Sequence, residues 1–511
     1  MIPNCHSNIN NNEEDDTIIH QSSASLPVKF ILPNQSASDS PKLAELNNGG
    51  DDDDKDDEKI KIKKNKPTRP SLLNTKSFTH SVNSFYQFTE DRWKQHDPNH
   101  QHQINNESRT STGKALLMFL KAFIGSGVLF LPKGFERGGL LLSIFLMILI
   151  ASICLFAFLR LVKTQQVIGG TYGDVANKLY GTYVCYLVLF FIALSQLGFV
   201  CSYFIFISGN LVNIVQVLSH CKVMISQKEY IWLPLIVVLP LVMIRHIARL
   251  SFTIIIADVF IFFGLVCVLY FTSVQLIQHG VGPNIQLVNP SQFGLMISTS
   301  IFSFEGIGLI IPISESMERP EKFPLVVYTG TVIVCVIYVL IGSMSYLAYG
   351  DQIKAAVIYN FPSSHGLTIT SQLLYSIAVI LTIPFMLFPA IKIIETELFK
   401  YCSSGSRDVK VKWLKNLFRS CLAILCATAA YMIGGDNLDK FVAFVGSISC
   451  IALCYIFPGL FHYKIAKSQH EKVIDVILML FGICTMIYTL FITIASFVET
   501  ETPLPTSSFC Q

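Results

Sequence analysis

The sequence predicts an all-α polytopic membrane protein with eleven transmembrane helices: two five-span repeats of opposite orientation and one extra helix. Three observations predict it. Of 511 residues, 51% are hydrophobic and 14% charged, whereas soluble domains carry about 25% charged residues. The charge is crowded into residues 1–114, which hold 14 Lys/Arg and 17 Asp/Glu and leave 42 charged residues for the other 397 positions. Two glycine–proline motifs, 181 residues apart, interrupt the first and sixth apolar segments. A net charge of +3 gives no electrostatic footprint for nucleic acid; the partner implied by composition is the lipid bilayer.

Residues 1–114 read as a disordered cytosolic tail. They are rich in Asn, Ser, Asp and Lys, and the acidic run Asp51 to Glu58 is followed by the basic run Lys59 to Lys66. Segments of this kind cannot bury enough apolar surface to fold. No apolar h-region occurs near Met1, so no cleaved signal is expected. Glu14-Asp-Asp-Thr-Ile18-Ile19 loosely resembles an acidic di-leucine sorting signal. The tail reads equally as a spacer or as a regulatory segment, whose partners the sequence leaves unnamed.

A span needs about 20 apolar residues, at about 1.5 Å each, to cross about 30 Å of hydrocarbon. Eleven segments qualify as candidates: 115–133, 139–160, 184–213, 230–245, 252–277, 292–313, 325–349, 368–391, 414–433, 440–462 and 473–497. The fourth is short and contains Pro234 and Pro240. With the tail in the cytosol, the inside loops hold 17 Lys/Arg and the outside loops 6, as the positive-inside rule requires. The transmembrane domain is thus 115–497, with repeats at 115–277 and 292–462, an extra helix at 473–497, and a short lumenal tail at 498–511. Most of the 14 cysteines fall within spans, where Cys acts as a small hydrophobe. Cys421/Cys426 and Cys450/Cys454 read as packing residues, not metal ligands. Cys221 and Cys510 both fall on the outside, where sequence leaves a disulfide between them undecided.

The first span contains Lys121-Ala-Phe-Ile-Gly125-Ser-Gly127-Val-Leu-Phe-Leu-Pro132, and the sixth Phe302-Ser-Phe-Glu305-Gly306-Ile-Gly308-Leu-Ile-Ile-Pro312. Each sets G-x-G before a short apolar stretch ending in Pro. Gly weakens a helix and Pro lacks a donor, so both spans are expected to unwind near mid-membrane. Irregular backbone there is tolerated only beside protein or a wet cavity. Because the two spans run in opposite directions, the motifs mark an inverted repeat, with substrate held at the breaks. Free N–H groups at a half-helix start attract a carboxylate, and free carbonyls suit an ammonium group. Together they describe a site for a zwitterion, an amino acid. Close packing of helices through small residues is the competing reading of each motif alone.

Charged residues inside spans are functional candidates by default. Glu305, directly before Gly306, is the candidate proton-coupling residue; its alternative role is to tie unwound backbone together. Asp258 in span 5 reads as a partner to Lys/Arg or as a proton relay. Lys121 is expected to snorkel to the cytosolic face, and Glu395 and Glu397 to lie at the interface. Ser195, Gln196, Ser202 and Tyr203 of span 3 are candidate cavity-lining groups, with Thr382 in span 8.

Residues 121–133 resemble the first-span signature of the amino acid/auxin permease family. Phe302-Ser-Phe-Glu-Gly-Ile-Gly308, with Pro312-Ile-Ser-Glu-Ser-Met-Glu-Arg-Pro320 after it, resembles the sixth-span signature of that family. The Leu-Phe-Leu-Pro-Lys form is most similar to the fungal vacuolar amino-acid exporters. The resemblance covers about residues 110–497. It implies a LeuT-like fold working by alternating access, neutral amino acids as substrate, a proton as coupling ion, and export from an acidic vacuole to the cytosol. The expected substrate site includes Ile124, Gly125, Ser126, Gly127 and Val128, with the backbone of Gly125, Ser126 and Gly127 toward the substrate carboxylate. Phe304 and Gly306 are expected at the ammonium end, Phe302 and Tyr203 around the side chain, and Glu305 for the proton. No cofactor or metal is expected, and no enzyme: there is no membrane-placed nucleophile–base cluster and no phosphate loop. The rival reading is an amino-acid sensor at the vacuolar membrane that signals through its tail.

Overall fold

A computed structural model of the chain describes residues 110–125, 127–244, 247–362, 365–399 and 409–498. The polar tail up to residue 109, Ser126, Cys510 and the segment after Val498 lie outside the described residues.

The first span is two helices, α1 (Thr112–Phe123) and α2 (Gly127–Gly138), bent by 55°. The second, α3 (Leu140–Ile168), contains neither Gly nor Pro and runs unbroken for 29 residues. A short helix the sequence reading did not anticipate, α4 (Tyr172–Tyr180), starts with a capping box: Thr171 accepts from Asp174 N–H while the Asp174 carboxylate accepts from Thr171 N–H. The third span is α5 (Thr182–Leu218), 37 residues long. The fourth expected span appears as a 3-10 turn (Gln227–Trp232) and an eight-residue helix, α6 (Leu235–Val242). Pro234 at its N-cap and Pro240 within it account for its shortness, since each removes a donor and blocks a helical turn. The fifth span is α7 (Ile247–His279).

The sixth span is broken like the first, into α8 (Phe293–Ser303) and α9 (Ile307–Ser316). Pro132 and Pro312 each occupy the sixth position of the half-helix after the break. Then follow α10 (Phe323–Tyr349), α11 (Gly366–Leu398), α12 (Val409–Ile433), α13 (Leu438–Val445), α14 (Phe457–Ile465) and α15 (Gln469–Val498). Two π-helical turns, Gly446–Cys450 and Ala452–Ile456, join α13 to α14. Among the described residues nine helices are long and apolar enough to cross a membrane, or ten with the bent first pair.

Contacts define the two ends of the bundle. At the tail side, Thr110 N–H donates to Ser316 O at 2.9 Å and Glu318 N–H to Thr110 O at 3.0 Å, stitching the start of α1 to the end of α9. At the opposite, loop side, Gly282 N–H donates to Leu347 O at 2.8 Å and Asn284 to Asp351 at 2.7 Å. Cys421, Cys426, Cys450 and Cys454 are free thiols, and Cys221 is disulfide-bonded. α15 turns Ile477, Ile487, Phe491 and Val498 outward, as a helix facing lipid does.

Glu395, three residues from the end of α11, is buried within the protein. It is 7% exposed and paired with Arg419, itself 1% exposed, through Nη2–Oε2 and Nε–Oε2 contacts of 2.7 and 3.1 Å. Desolvating two charges is costly, so this pair holds α11 and α12 together only while both members remain. Arg419→Met would leave Glu395 with Lys415 Nζ at 3.5 Å. We expect a loss of about 3–5 kcal/mol, read as a lower unfolding midpoint of the detergent-purified protein. An unchanged midpoint would contradict a buried pair.

Candidate functional site

The two breaks face each other across the middle of the bundle. α1 ends at Phe123 and α8 at Ser303, and each leaves last-turn carbonyls without helical partners. Tyr338 of α10 answers both: its hydroxyl lies 2.6 Å from Phe123 O and 2.9 Å from Ser303 O. Its single proton is shared between two carbonyls. Tyr375 of α11 donates to Gly125 O at 3.2 Å, and Ser303 Oγ lies 3.3 Å from Gly127 O and 2.9 Å from Thr299 O. The closeness of the two breaks favours glycine. A Cβ on Gly306 would sit 2.6 Å from the Phe123 ring, and one on Gly127 3.3 Å from Ser303 Cα. At Gly125 the space is open.

That space is a cavity of about 100 Å³, several times the ~10–15 Å³ that one water requires. Of the expected site residues, Ile124, Gly125, Gly127, Tyr203, Phe302 and Glu305 line it. Thr382 lines it too. Ser126 lies outside the described residues. Three expected residues point elsewhere. Val128 is fully buried in packing, Phe304 stacks edge-on against Tyr338 at 5.2 Å, and Gly306 abuts the Phe123 ring. Near a break the chain alternates between cavity and core over one or two residues, so adjacency to the motif does not assure a place in the wall. In α5, Ser195 and Ser202 back-bond to Ile192 O and Gly198 O, and Gln196 is outside the lining. Phe199, one turn before Tyr203, takes the place foreseen for those polar groups.

Much of the remaining wall is apolar, with Ile254, Ile261, Val379, Phe385 and Met386 in it. Above it toward the loop side runs an aromatic series. Phe302 meets Phe199 at 4.5 Å and Phe130 at 6.3 Å, Phe130 meets Phe206 at 6.0 Å, and Phe206 stacks on Tyr359 at 5.8 Å. Farther out, Arg137 Nη2 pairs with Asp439 at 3.0 Å. The cavity extends the other way, past Met118 and Ile313 toward the tail side.

Lys121 does not snorkel. Its Nζ lies 2.6 Å from Asp258 Oδ2, and both residues line the cavity. The pairing reading of Asp258 therefore describes the geometry, and α1 is tied to α7 just below the break. Glu305 has no ion-pair partner among the described residues and reaches the same cavity, four residues of chain from Ile301 in the α8 core.

A helical bundle with two broken helices around a central cavity is the arrangement expected of a LeuT-like fold. The solved structure titled "Inward facing conformation of Mhp1" superposes with a TM-score of 0.53 at 12% identity, covering 80% of this chain and 97% of that one. Residues 108–499 match the family described as transmembrane amino acid transporter protein, and the chain belongs to that family. It is 41% identical over 393 residues to vacuolar amino acid transporter 3 of Saccharomyces cerevisiae, covering 76% of this chain and 57% of that protein. To vacuolar amino acid transporter 3 of Schizosaccharomyces pombe it is 36% identical, covering 77% and 59%. The chain thus spans under three-fifths of the length of these yeast relatives.

Tyr338 carries no motif. Its one signal in the sequence is a hydroxyl in an apolar span, which must find a partner when buried. Tyr338→Phe leaves two buried carbonyls short of a donor, and we expect a cost of about 1–3 kcal/mol. The check is the thermal unfolding midpoint of the variant against the wild type. No shift would mean that the breaks do not depend on this hydroxyl.

Proposed function

We propose that the protein is a secondary active transporter that moves neutral amino acids across the vacuolar membrane, from lumen to cytosol, coupled to a proton. The observation that carries this reading is the cavity at the meeting of two helix breaks. The α2 start, with first-turn N–H groups lacking helical partners, is a seat for the substrate carboxylate at Gly125 to Gly127. Carbonyls at the α1 and α8 ends suit the ammonium group. Phe199, Tyr203 and Phe302 with Ile261 and Val379 bound a side-chain pocket that favours apolar groups. Lys121 and Asp258 pair with each other, so neither is offered singly to a charged substrate side chain.

The five-plus-five plan with one extra span asks for eleven crossings, one more than the ten described helices and bent pairs supply. α5 passes the 350–362 loop in its last third, where Tyr359 donates to Phe206 O at 2.8 Å. α7 ends beside the same loop, with the Phe271 and Phe361 rings 4.6 Å apart. Two successive spans that finish at one side need a return between them, and residues 227–246 are the chain available for it. The 17-to-6 excess of basic residues in the loops assigned to the tail side supports a cytosolic tail side and, with eleven crossings, a lumenal C-terminus. The loop-side aromatic series is then a closed lumenal gate, and the cavity leans to the cytosol.

Glu305 is the proton carrier in this reading: an ionisable group in the cavity wall whose charge is costly unpaired at this depth. The test is flux in sealed vesicles containing the purified protein, with and without an imposed pH gradient. Neutral amino acids should be driven with the proton by the wild type. Glu305→Gln should keep substrate exchange at symmetric pH and lose gradient-driven accumulation. Flux indifferent to the gradient in the wild type would contradict coupling. Loss of exchange together with accumulation would make Glu305 a structural or binding residue.

A further inference from the structure

Away from the cavity, three helices meet around a buried histidine near the tail side. His462 of α14 and Asp475 of α15 are both fully buried, with Nδ1 2.6 Å from Oδ2. A carboxylate can only accept at that distance, so Nδ1 carries the hydrogen. Arg160 of α3 places Nη1 3.2 Å from His462 Nδ1 and 3.1 Å from Nε2. Near-equal distances to both ring nitrogens put Nη1 over the ring face, not in line with either lone pair. The other face of the arginine is covered by Phe156, whose ring centroid is 4.8 Å from Cζ.

The charges around the ring are balanced. Facing it are Arg160 and Lys163 from α3 and Glu471 and Asp475 from α15, two cations and two carboxylates. α4 contributes Tyr172 and Tyr180, but their hydroxyls are spent on Leu453 O and Leu460 O. A guanidinium over a neutral imidazole is attracted to its π-face. Over an imidazolium it is repelled, and the cluster gains an uncompensated charge. A landing place is already present. Asp475 Oδ1 is buried and accepts no hydrogen bond, with Arg160 Nε 3.5 Å away, and Glu471 Oε1 lies 3.6 Å from Nη1. Glu471 and Lys163 are partly exposed and hold each other at 2.7 Å, so solvent at the tail side reaches the edge of the cluster.

We propose that His462 Nε2 is a second proton-binding site, separate from the cavity, whose occupancy moves Arg160 from the imidazole face to Asp475 Oδ1 and Glu471. The proton comes from the compartment at the tail side, which is the cytosol in the orientation proposed above. Its binding shifts the hold of α3 from α14 to α15, so the seating of the second span between the tenth and eleventh follows the pH at that side.

The test is the unfolding midpoint of the purified full chain between pH 7.5 and 5.5, for wild type, His462→Gln and Arg160→Gln. It needs no substrate, so its result is independent of the transport reading. Relative to His462→Gln, the wild type should lose midpoint as the pH falls, because protonation breaks the Arg160 contact. Arg160→Gln should show the opposite slope, because an imidazolium then pairs with Asp475 unopposed. A histidine that merely fills space would not reverse sign on loss of the arginine. Parallel profiles in the three proteins would overturn the proposal. If His462→Gln fails to fold, the slope of Arg160→Gln against wild type decides: reversal supports the site and the same slope overturns it.

Discussion

Backbone polar groups exposed inside an apolar bundle must find partners, and the architecture around the two helix breaks follows from that requirement. An unpaired buried carbonyl costs about 1–3 kcal/mol, and each break exposes several. Tyr338 meets the cost at both breaks with one hydroxyl, and Tyr375 and Ser303 take two of the others. The groups left over border the cavity. The binding chemistry proposed for the site is therefore the unsatisfied remainder of a structural solution, not an addition to it.

The same interactions constrain motion. Tyr338 joins the ends of α1 and α8, while the Thr110 bridge joins the start of α1 to the end of α9. The half-helices on the tail side, α1 and α9, are thereby tied to each other at one end, while the other end of α1 is held to α8 through Tyr338. The Lys121–Asp258 pair adds a tie from α1 to α7. A movement that opens or closes the tail side of the cavity has to carry α1 and α9 together or break these contacts. On the loop side the restraint is different in kind: interleaved aromatic rings from Phe302 to Tyr359, with Arg137–Asp439 outside them. Dispersion there is spread over many atoms, each contact weak, so that side resists opening without depending on one bond.

The breaks themselves were legible in the sequence because Gly and Pro act through the backbone, and backbone consequences are local. G-x-G followed by Pro placed both interruptions, and the apolar runs placed the long helices. The fourth segment was legible as a weak span for the same reason: Pro234 and Pro240 forbid a long helix. What the sequence hid was direction. Whether Val128 or Ile124 points into the cavity depends on the dihedrals of one or two residues in an irregular turn, for which there is no period to read. Lys121 looks like a snorkelling residue in the sequence because Asp258, its partner, is distant along the chain. Phe199 and Tyr338 look like ordinary apolar-span residues until neighbouring helices give them a role. α4 was hidden in a loop-like stretch, although its Thr171–Asp174 cap is visible once sought.

The central claim is that a zwitterion is held by the two breaks at once. The most direct measurement is an experimentally determined structure of the protein with a bound neutral amino acid. The account predicts the carboxylate against the backbone of Gly125 to Gly127, the ammonium group toward the carbonyls at the end of α8, and the side chain among Phe199, Tyr203 and Phe302. Density for the amino acid outside this cavity, or inside it with the carboxylate turned away from the α2 start, would contradict it.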